Sequence, residues 1–371
     1  MLRTAGYDVA EVAFTYSDAP GRFGTPVIGV AAALTLGVAA AAGTRGRAGV
    51  AAAVLAVGGA TLAAAGAWVG RFGTRRISWR RRDGVNLVAT RAASPAARAA
   101  RAADGLASEL ANAFPDALPG AEVRVWLVAH LDTKSQPVAM VARVAGVVAT
   151  LAVTGVAAIA AALGVATGRD VIGAPAWFAI GVLGVVSAVP IIATTVGSDS
   201  DGALDNASGV AAILGAAEAL AGAEGVVGVV GVLLTSAEEL GLAGAHAWAD
   251  AWARAGRAPG IAFNCDGVDD AGPLTVLRGA RVSSVIARAL AAAGDHSPVH
   301  VRRIPPGLLV DAVALAAAGW GAVTVSKGTW GTLARVHTAR DTLAQLRGEG
   351  VAGAAELLAR LARGVAGTGA E

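Results

Sequence analysis

Charge and cysteine are both scarce in this chain of 371 residues. Asp, Glu, Lys and Arg together make up 15%, and 30 basic against 27 acidic residues leave a net charge of only +3. So small an excess excludes a uniformly basic chain, and the sequence pI near 9.6 acquires meaning only once the charges are located. The single cysteine, Cys265, has no partner in the chain. That excludes a disulfide framework and is compatible with a reducing compartment. Met1–Arg22 is polar and mixed in charge, without the apolar core of a secretory signal, so no cleavable leader is expected there.

What the chain has instead is hydrophobic length. Apolar residues reach 55%, above the ~45–50% usual for soluble domains, and the mean hydropathy is +0.60. Four stretches carry the excess: Thr25–Ala42 and Val50–Gly70, separated by GTRGRAG, then Val144–Thr167 and Val171–Gly197, separated by Gly168-Arg169-Asp170. A bilayer-spanning helix needs about 20 mostly apolar residues, which the first approaches and the other three reach. Each pair with its tight loop reads as a helical hairpin, with Trp68 and Trp177 near segment ends, where amphipathic rings favour the headgroup zone. Core helices of a soluble fold are the alternative, and uncharged runs of this length count against it.

Many arginines fall between Arg71 and Arg101, in RFGTRRISWRRR and beyond. A basic run can bind nucleic acid. Because this one follows an apolar segment directly, a membrane surface is expected as its partner, and no nucleic acid. If the spans pair as hairpins, Arg3, Arg22, Arg71, Arg75, Arg76, Arg80, Arg81 and Arg82 share one side, against Arg45, Arg47 and Arg169 on the other. The expected location is therefore a cell membrane, multi-pass, with both termini and the polar domain in the cytoplasm.

The polar remainder alternates two patterns. NLVAT, VRVWLVA, VVGVVGVLLT, GIAFNCD, LTVL and AVTVS read as short buried strands; SGVAAILGAAEALAG, LAGAHAWADAWARAG, RVSSVIARALAAAG and LRGEGVAGAAELLARLARG read as amphipathic helices. Strands alternating with helices predict an α/β fold, a mixed and mostly parallel sheet sandwiched by helices, beside four transmembrane α-helices. The expected organisation is an N-terminal cytoplasmic segment (1–24), a transmembrane hairpin (25–70) and a basic juxtamembrane linker (71–82). A polar domain follows (83–137 and 198–371), interrupted by a second transmembrane hairpin (138–197).

Ligand sites of such sheets lie at the carboxyl ends of the strands, and the polar residues gather there. His130 and Asp132 end one strand. Asp205 precedes a helix, Glu238 and Glu239 follow VGVLLTSA, Asp266 closes GIAFNCD, and His337 lies in RVHTARDT. Singly, each has an ordinary explanation: Asp205 as a helix cap, the glutamates as a response to a helix dipole, His130 as a hydrogen-bonded core histidine. Together at successive strand ends they are harder to explain, because unpaired buried charges cost several kcal/mol. A shared cation removes the repulsion, and histidines with carboxylates suit zinc or another divalent transition metal.

In this order the motifs resemble the co-catalytic di-zinc aminopeptidases, bacterial leucyl aminopeptidase-like metallopeptidases related to glutamate carboxypeptidases and glutaminyl cyclases. H-x-D appears as His130-Leu131-Asp132, D-N-A-S-G as Asp205–Gly209, E-E-x-G as Glu238–Gly241, N-x-D as Asn264–Asp266, and H-T-x-x-D as His337–Asp341. The resemblance covers about Asn86–Gln345 and leaves out the hairpins. It implies a zinc-exopeptidase-like fold and two Zn2+ ions, one on His130 and Asp266, the other on Glu239 and His337, with Asp205 bridging. It implies that Asp132 hydrogen-bonds the far nitrogen of His130. Glu238 would be the general base, taking a proton from a metal-bridging water. The substrate implied is a peptide with a free N-terminus. Two departures stand out: Val336 replaces an aromatic hydroxyl found before the histidine in some relatives, and the second hairpin occupies a short loop of soluble relatives.

Two other readings keep the sequence features: a related amide hydrolase or glutaminyl-cyclase-like acyl transferase, and a catalytically silent membrane receptor. Full retention of the motif residues counts against the last. His246, His296 and His300 receive no role. Asp311 reads as a helix cap, and Arg302, Arg335 and Arg340 are candidate contacts for a substrate carboxylate.

Overall fold

Period-two alternation and long apolar runs divide the chain into a sheet and a helical bundle. The computed structural model describes residues 1–91, 123–223, 226–294, 298–305 and 307–367. Among these, β1 (Asp8–Ser17), β2 (Arg81–Thr90), β3 (Val125–His130), β4 (Val230–Thr235), β5 (Ile261–Val268), β6 (Leu274–Arg278), β7 (His300–Arg303) and β8 (Gly321–Lys327) form one eight-stranded sheet in the order β1-β2-β4-β3-β5-β8-β6-β7. The strands β4, β3, β5 and β8 run parallel at its centre. Antiparallel pairings with β2 and β6 flank them.

The longer helices are α1 (Ala19–Gly43), α2 (Ala48–Trp68), α3 (Met140–Thr167), α4 (Gly173–Ile192), α5 (Ser208–Leu220), α6 (Ala243–Arg254), α7 (Ser284–Gly294), α8 (Asp311–Ala317) and α9 (Glu349–Ala366). Along β3 successive side chains serve opposite faces. Val125, Leu127 and Ala129 pack under α5, α7 and α9; Trp126 and Val128 pack under α6 and α8. On the second face Trp126, Trp248, Trp252 and Trp320 form a chain of rings with centroids 5.1–5.6 Å apart.

α1 to α4 are each long and apolar enough to cross a membrane. They form one bundle rather than two separate hairpins: α1 packs on α2 and α4, and α3 on α2 and α4. Small residues permit the close approach, as in lipid-embedded bundles. A Cβ on Gly43 would fall 2.1 Å from the Trp177 ring, and one on Gly184 2.9 Å from Leu36. Large apolar side chains point outward instead, Leu151 at 65% exposure and Phe178 at 68%. Water disfavours that distribution and hydrocarbon accommodates it.

The helices differ from the sequence boundaries at their ends. The first begins at Ala19 rather than Thr25, the third at Met140 rather than Val144, and the fourth stops at Ile192 rather than Gly197. The N-terminal segment 1–24 is not a separate unit. Its β1 pairs with β2 over ten residues, from Asp8↔Thr90 to Ser17↔Arg81. Its alternation of exposed and half-buried residues makes it an edge strand too polar to stand out by hydrophobicity. The linker 71–82 likewise holds the end of a π-helical turn (Val69–Gly73), a short helix (Thr74–Arg76) and the start of β2.

The first apolar hairpin is thus the connection between two paired strands. β1 runs parallel to β3 and β4, so α1 leaves the sheet from the edge at which β3 ends in His130. The second hairpin leaves from the same edge. Its neck is closed by Ser135 and Gly197, each donating its N–H to the other's carbonyl at 3.0 and 2.8 Å.

Candidate metal centre

Five side chains converge at this edge. β3 delivers His130 at its last residue, and β5 delivers Asp266. Asp205 sits in the π-helical turn Ala203–Ala207 that leads into α5. The motif around it has mechanical work. Asn206 donates to the Cys265 carbonyl at 2.9 Å and accepts from Gly209 and Gly267 N–H at 3.1 and 3.3 Å, tying the turn to the strand that bears Asp266. A Cβ on Gly209 would lie 2.1 Å from the Asn206 oxygen, so glycine is required there. Glu238 and Glu239 occupy a turn between Ala237 and Leu242, both with positive φ. His337, also at positive φ, follows the short helix Trp330–Leu333.

The distances define two overlapping groups. Nε2 of His130 lies 3.0 Å from Asp205 Oδ1 and 3.7 Å from Asp266 Oδ1. Nε2 of His337 lies 2.9 Å from both Asp205 Oδ2 and Glu239 Oε1. Within each group, His130/Asp205/Asp266 and Asp205/Glu239/His337, the potential ligand atoms lie within 4.8 Å of one another. Both Nε2 atoms, Asp205 Oδ1 and Glu239 Oε1 are buried without a hydrogen-bond partner. Buried polar atoms are rarely left so, and a cation would satisfy all four.

Glu238 stands beside these groups and belongs to neither. Burial, reinforced by repulsion from Glu239 and Asp266, raises its carboxyl well above the ordinary range. Burial works against the Asp205 carboxylate too, but the His130 and His337 rings at 3.0 and 2.9 Å outweigh it and keep its carboxyl well below that range. The two carboxyls are thereby driven to opposite protonation tendencies.

The contacts of Asp132 differ from those the resemblance implies. Nδ1 of His130 faces the backbone carbonyl of Asp132 at 2.9 Å, and the carboxylate is 3.7 Å away. That carboxylate accepts instead from the N–H groups of Glu238 and Glu239 at 3.0 and 3.1 Å. The Asp132 backbone carbonyl is nearer the ring, and the free amides of the glutamate turn need an acceptor.

Four functional neighbours were not assigned from the sequence. Asp341 accepts from Leu204 and Asp205 N–H at 2.6 and 3.2 Å; its place in the H-T-x-x-D motif was the available signal. Lys134, two residues after Asp132, lies 2.7 Å from Glu239 Oε2. Asp311 is no cap but a fully buried acid that accepts from Thr235 and whose carboxyl burial pushes up to about 7. Arg143, on α3, lies 3.0 Å from Nδ1 of His337.

Other candidates fall away from the centre. His246 is buried, and burial lowers its ring to about 4. His300 and Arg302 are exposed on β7, and His296 lies outside the described residues. Arg335 pairs with Asp269, and Arg340 donates to the Ala334 carbonyl. Val336 is buried. A cavity of about 380 Å3 opens beside His130, between Leu131–Thr133 and α5; a larger cleft of about 820 Å3 between α5 and α9 touches none of these residues.

The long apolar helices abut this chemistry. Gly21, in the first turn of α1, packs so closely on Leu240 that a Cβ would fall 2.3 Å from its Cα, and Thr74 reaches Gly241. The glutamate turn is held between them.

No curated protein matches the chain significantly. Among solved structures, a zinc aminopeptidase from Bacillus subtilis is 15% identical with a TM-score of 0.45, over 77% of this chain and 51% of that one. The LapA aminopeptidase of Legionella pneumophila is 13% identical with a TM-score of 0.46, over 78% and 56%. A glutaminyl cyclase from Porphyromonas gingivalis is 16% identical with a TM-score of 0.41, over 76% of each chain. The chain spans about half the length of the two aminopeptidases. The model of Peptidase family M28 matches residues 188–362. This stretch carries Asp205, Glu238, Glu239, Asp266 and His337, and through it the chain is similar to Peptidase family M28.

Proposed function

We propose that this chain is a membrane-bound zinc aminopeptidase that removes N-terminal residues from peptides. The observation that carries the reading is the position of Asp205, whose two oxygens face different histidines at 3.0 and 2.9 Å and so join the two ligand groups. Imidazole nitrogens and carboxylate oxygens without a thiolate suit zinc or another divalent transition metal. His130 and Asp266 would hold one ion, Glu239 and His337 a second, and Asp205 both. When bound, such ions polarise a carbonyl oxygen and lower the pKa of water towards neutrality.

The chain's own groups supply the rest. Glu238, with its raised proton affinity, accepts a proton from the attacking water and returns it to the leaving amine. Asp132 holds the backbone of Glu238 and Glu239, and Asp341 holds that of Asp205. The surplus of carboxylates suits a substrate with a free α-ammonium group. The four apolar helices support a bilayer as the enzyme's location, and the arginine excess supports the cytoplasmic side for its polar domain.

Metal content of detergent-purified protein and hydrolysis of a panel of aminoacyl-anilides test the reading. Glu238→Ala should lower kcat by about 10²–10⁴-fold while metal is retained, whereas His337→Ala should lose part of the metal. An active Glu238→Ala enzyme would remove the proposed base. A glutamine-terminated peptide belongs in the panel, because cyclisation rather than hydrolysis would identify the acyl-transfer alternative.

A further inference from the structure

Arg143 lies in the first turn of α3, an apolar helix, yet its guanidinium reaches the polar cluster. The placement runs against two electrostatic preferences. A helix N-terminus favours anions, and Lys134 already brings a cation to Glu239 at 2.7 Å. The hydrogen bonding is also peculiar. Arg143 Nη2 lies 3.0 Å from Nδ1 of His337, and Arg143 Nε is buried with no partner.

A guanidinium has only donors, so Nδ1 of His337 must accept from it. It can do so while the ring hydrogen is on Nε2, which faces Asp205 and Glu239 at 2.9 Å. On the metallopeptidase reading, from which this inference starts, Nε2 gives its lone pair to a metal. The hydrogen then belongs on Nδ1, and His337 can no longer accept from Arg143. Nη2 joins Nε as a donor without a protein acceptor, beside the reacting centre. A carboxylate satisfies such a pair, since its two oxygens match the guanidinium fork. The arginines singled out from the sequence do not compete: Arg335 is engaged by Asp269, Arg340 by the Ala334 carbonyl, and Arg302 is on an exposed strand.

We propose that Arg143 binds a free carboxylate of the substrate on the leaving side of the scissile amide, making short peptides, dipeptides foremost, the preferred substrates. Contact with a metal-ligand histidine leaves room for little more than one residue, which spans at most about 3.6 Å, between the scissile bond and that carboxylate. The specificity determinant then lies on the inserted membrane hairpin, not in the domain that carries the other site residues.

The test is calorimetric titration of zinc-loaded, full-length Glu238→Gln protein in detergent with Ala-Ala and with Ala-Ala amide. The free acid should bind at least about tenfold more tightly, as charge-assisted pairing implies. Adding Arg143→Met should bring the ratio near one, and Arg143→Lys should restore part of it. Zinc content of the Arg143→Met protein should not fall below that of the parent, which separates lost recognition from a collapsed centre. Equal affinity for acid and amide, binding of neither, or a preference that survives Arg143→Met overturns the proposal. Wild-type turnover of alanyl-anilide, which has no carboxylate, reports separately on the peptidase reading. Failure of the wild-type protein to hydrolyse either the anilide or Ala-Ala, with a persistent acid preference, would sink that reading and leave only the carboxylate contact of Arg143.

Discussion

Asp341 shows how much of this centre depends on residues that touch no substrate. Its carboxylate accepts from the Leu204 and Asp205 amides, in a place with no exposed surface. Asp341→Ala strands two buried N–H groups, each worth about 1–3 kcal/mol when left unsatisfied. The expected outcome is a lower unfolding temperature together with weaker metal retention, measured by calorimetry and by dialysis against a chelator. A variant that loses neither would show that the turn around Asp205 is rigid by itself. His130 and Asp266 were legible because each closes a short apolar run. The contacts of Asp132 were not, because a two-residue spacing allows its carboxylate to face either the ring or the neighbouring turn. The turn prevailed through its two free amides.

At the scale of elements, the junction between sheet and bundle has its own electrostatics. Asp18, between β1 and α1, is buried and paired with Arg80, Arg22 and Arg82 at 2.6, 3.0 and 3.3 Å. The Arg80 guanidinium, aided by Arg82 and Arg22, holds its carboxyl down to about 2. A depressed carboxyl contributes stability that is complete above its unfolded value, near 3.9, and is lost as pH falls towards the folded value. Asp18→Asn should therefore destabilise the protein by about 1–2 kcal/mol at neutral pH, a figure kept low because the arginines are partly solvated. The gap between variant and parent in thermal unfolding should close between pH 4 and 2; a gap independent of pH would exclude the ion pairs as its source.

The second hairpin makes a separate element-scale prediction. Its neck is closed by Ser135 and Gly197, and Arg143 extends from it to His337. Replacing 138–197 by a short loop should alter substrate range or lower stability, read from anilide and peptide turnover beside a melting curve. If neither changes, the hairpin is only a tether. Arg143 escaped the sequence reading because an arginine before an apolar run has an ordinary use, holding a helix end at the lipid headgroups.

For the whole molecule, the decisive feature is that both hairpins leave the sheet from the edge that holds the histidines. The centre is consequently turned towards the apolar helices. The arginine distribution expects that edge, the termini and the polar domain on the cytoplasmic face. Cys265 is fully buried, so a cysteine introduced near the C-terminus can be labelled with little background. An impermeant maleimide should react only after cells are opened; labelling of intact cells would invert the topology.

The linear order of residues determined the apolar lengths, the alternation that buries β3 on both faces, and the succession of charged strand ends. Each of these is a local property, set by helix length, by the two-residue period of a strand, or by the cost of an unpaired buried charge. Tertiary structure alone decided that the polar N-terminal strand completes the sheet, that four apolar helices form one bundle, and that an arginine from that bundle meets His337. Those outcomes depend on strand order and on which edge each connection leaves, and such choices are made by contacts between segments far apart in the chain, where no local pattern records them.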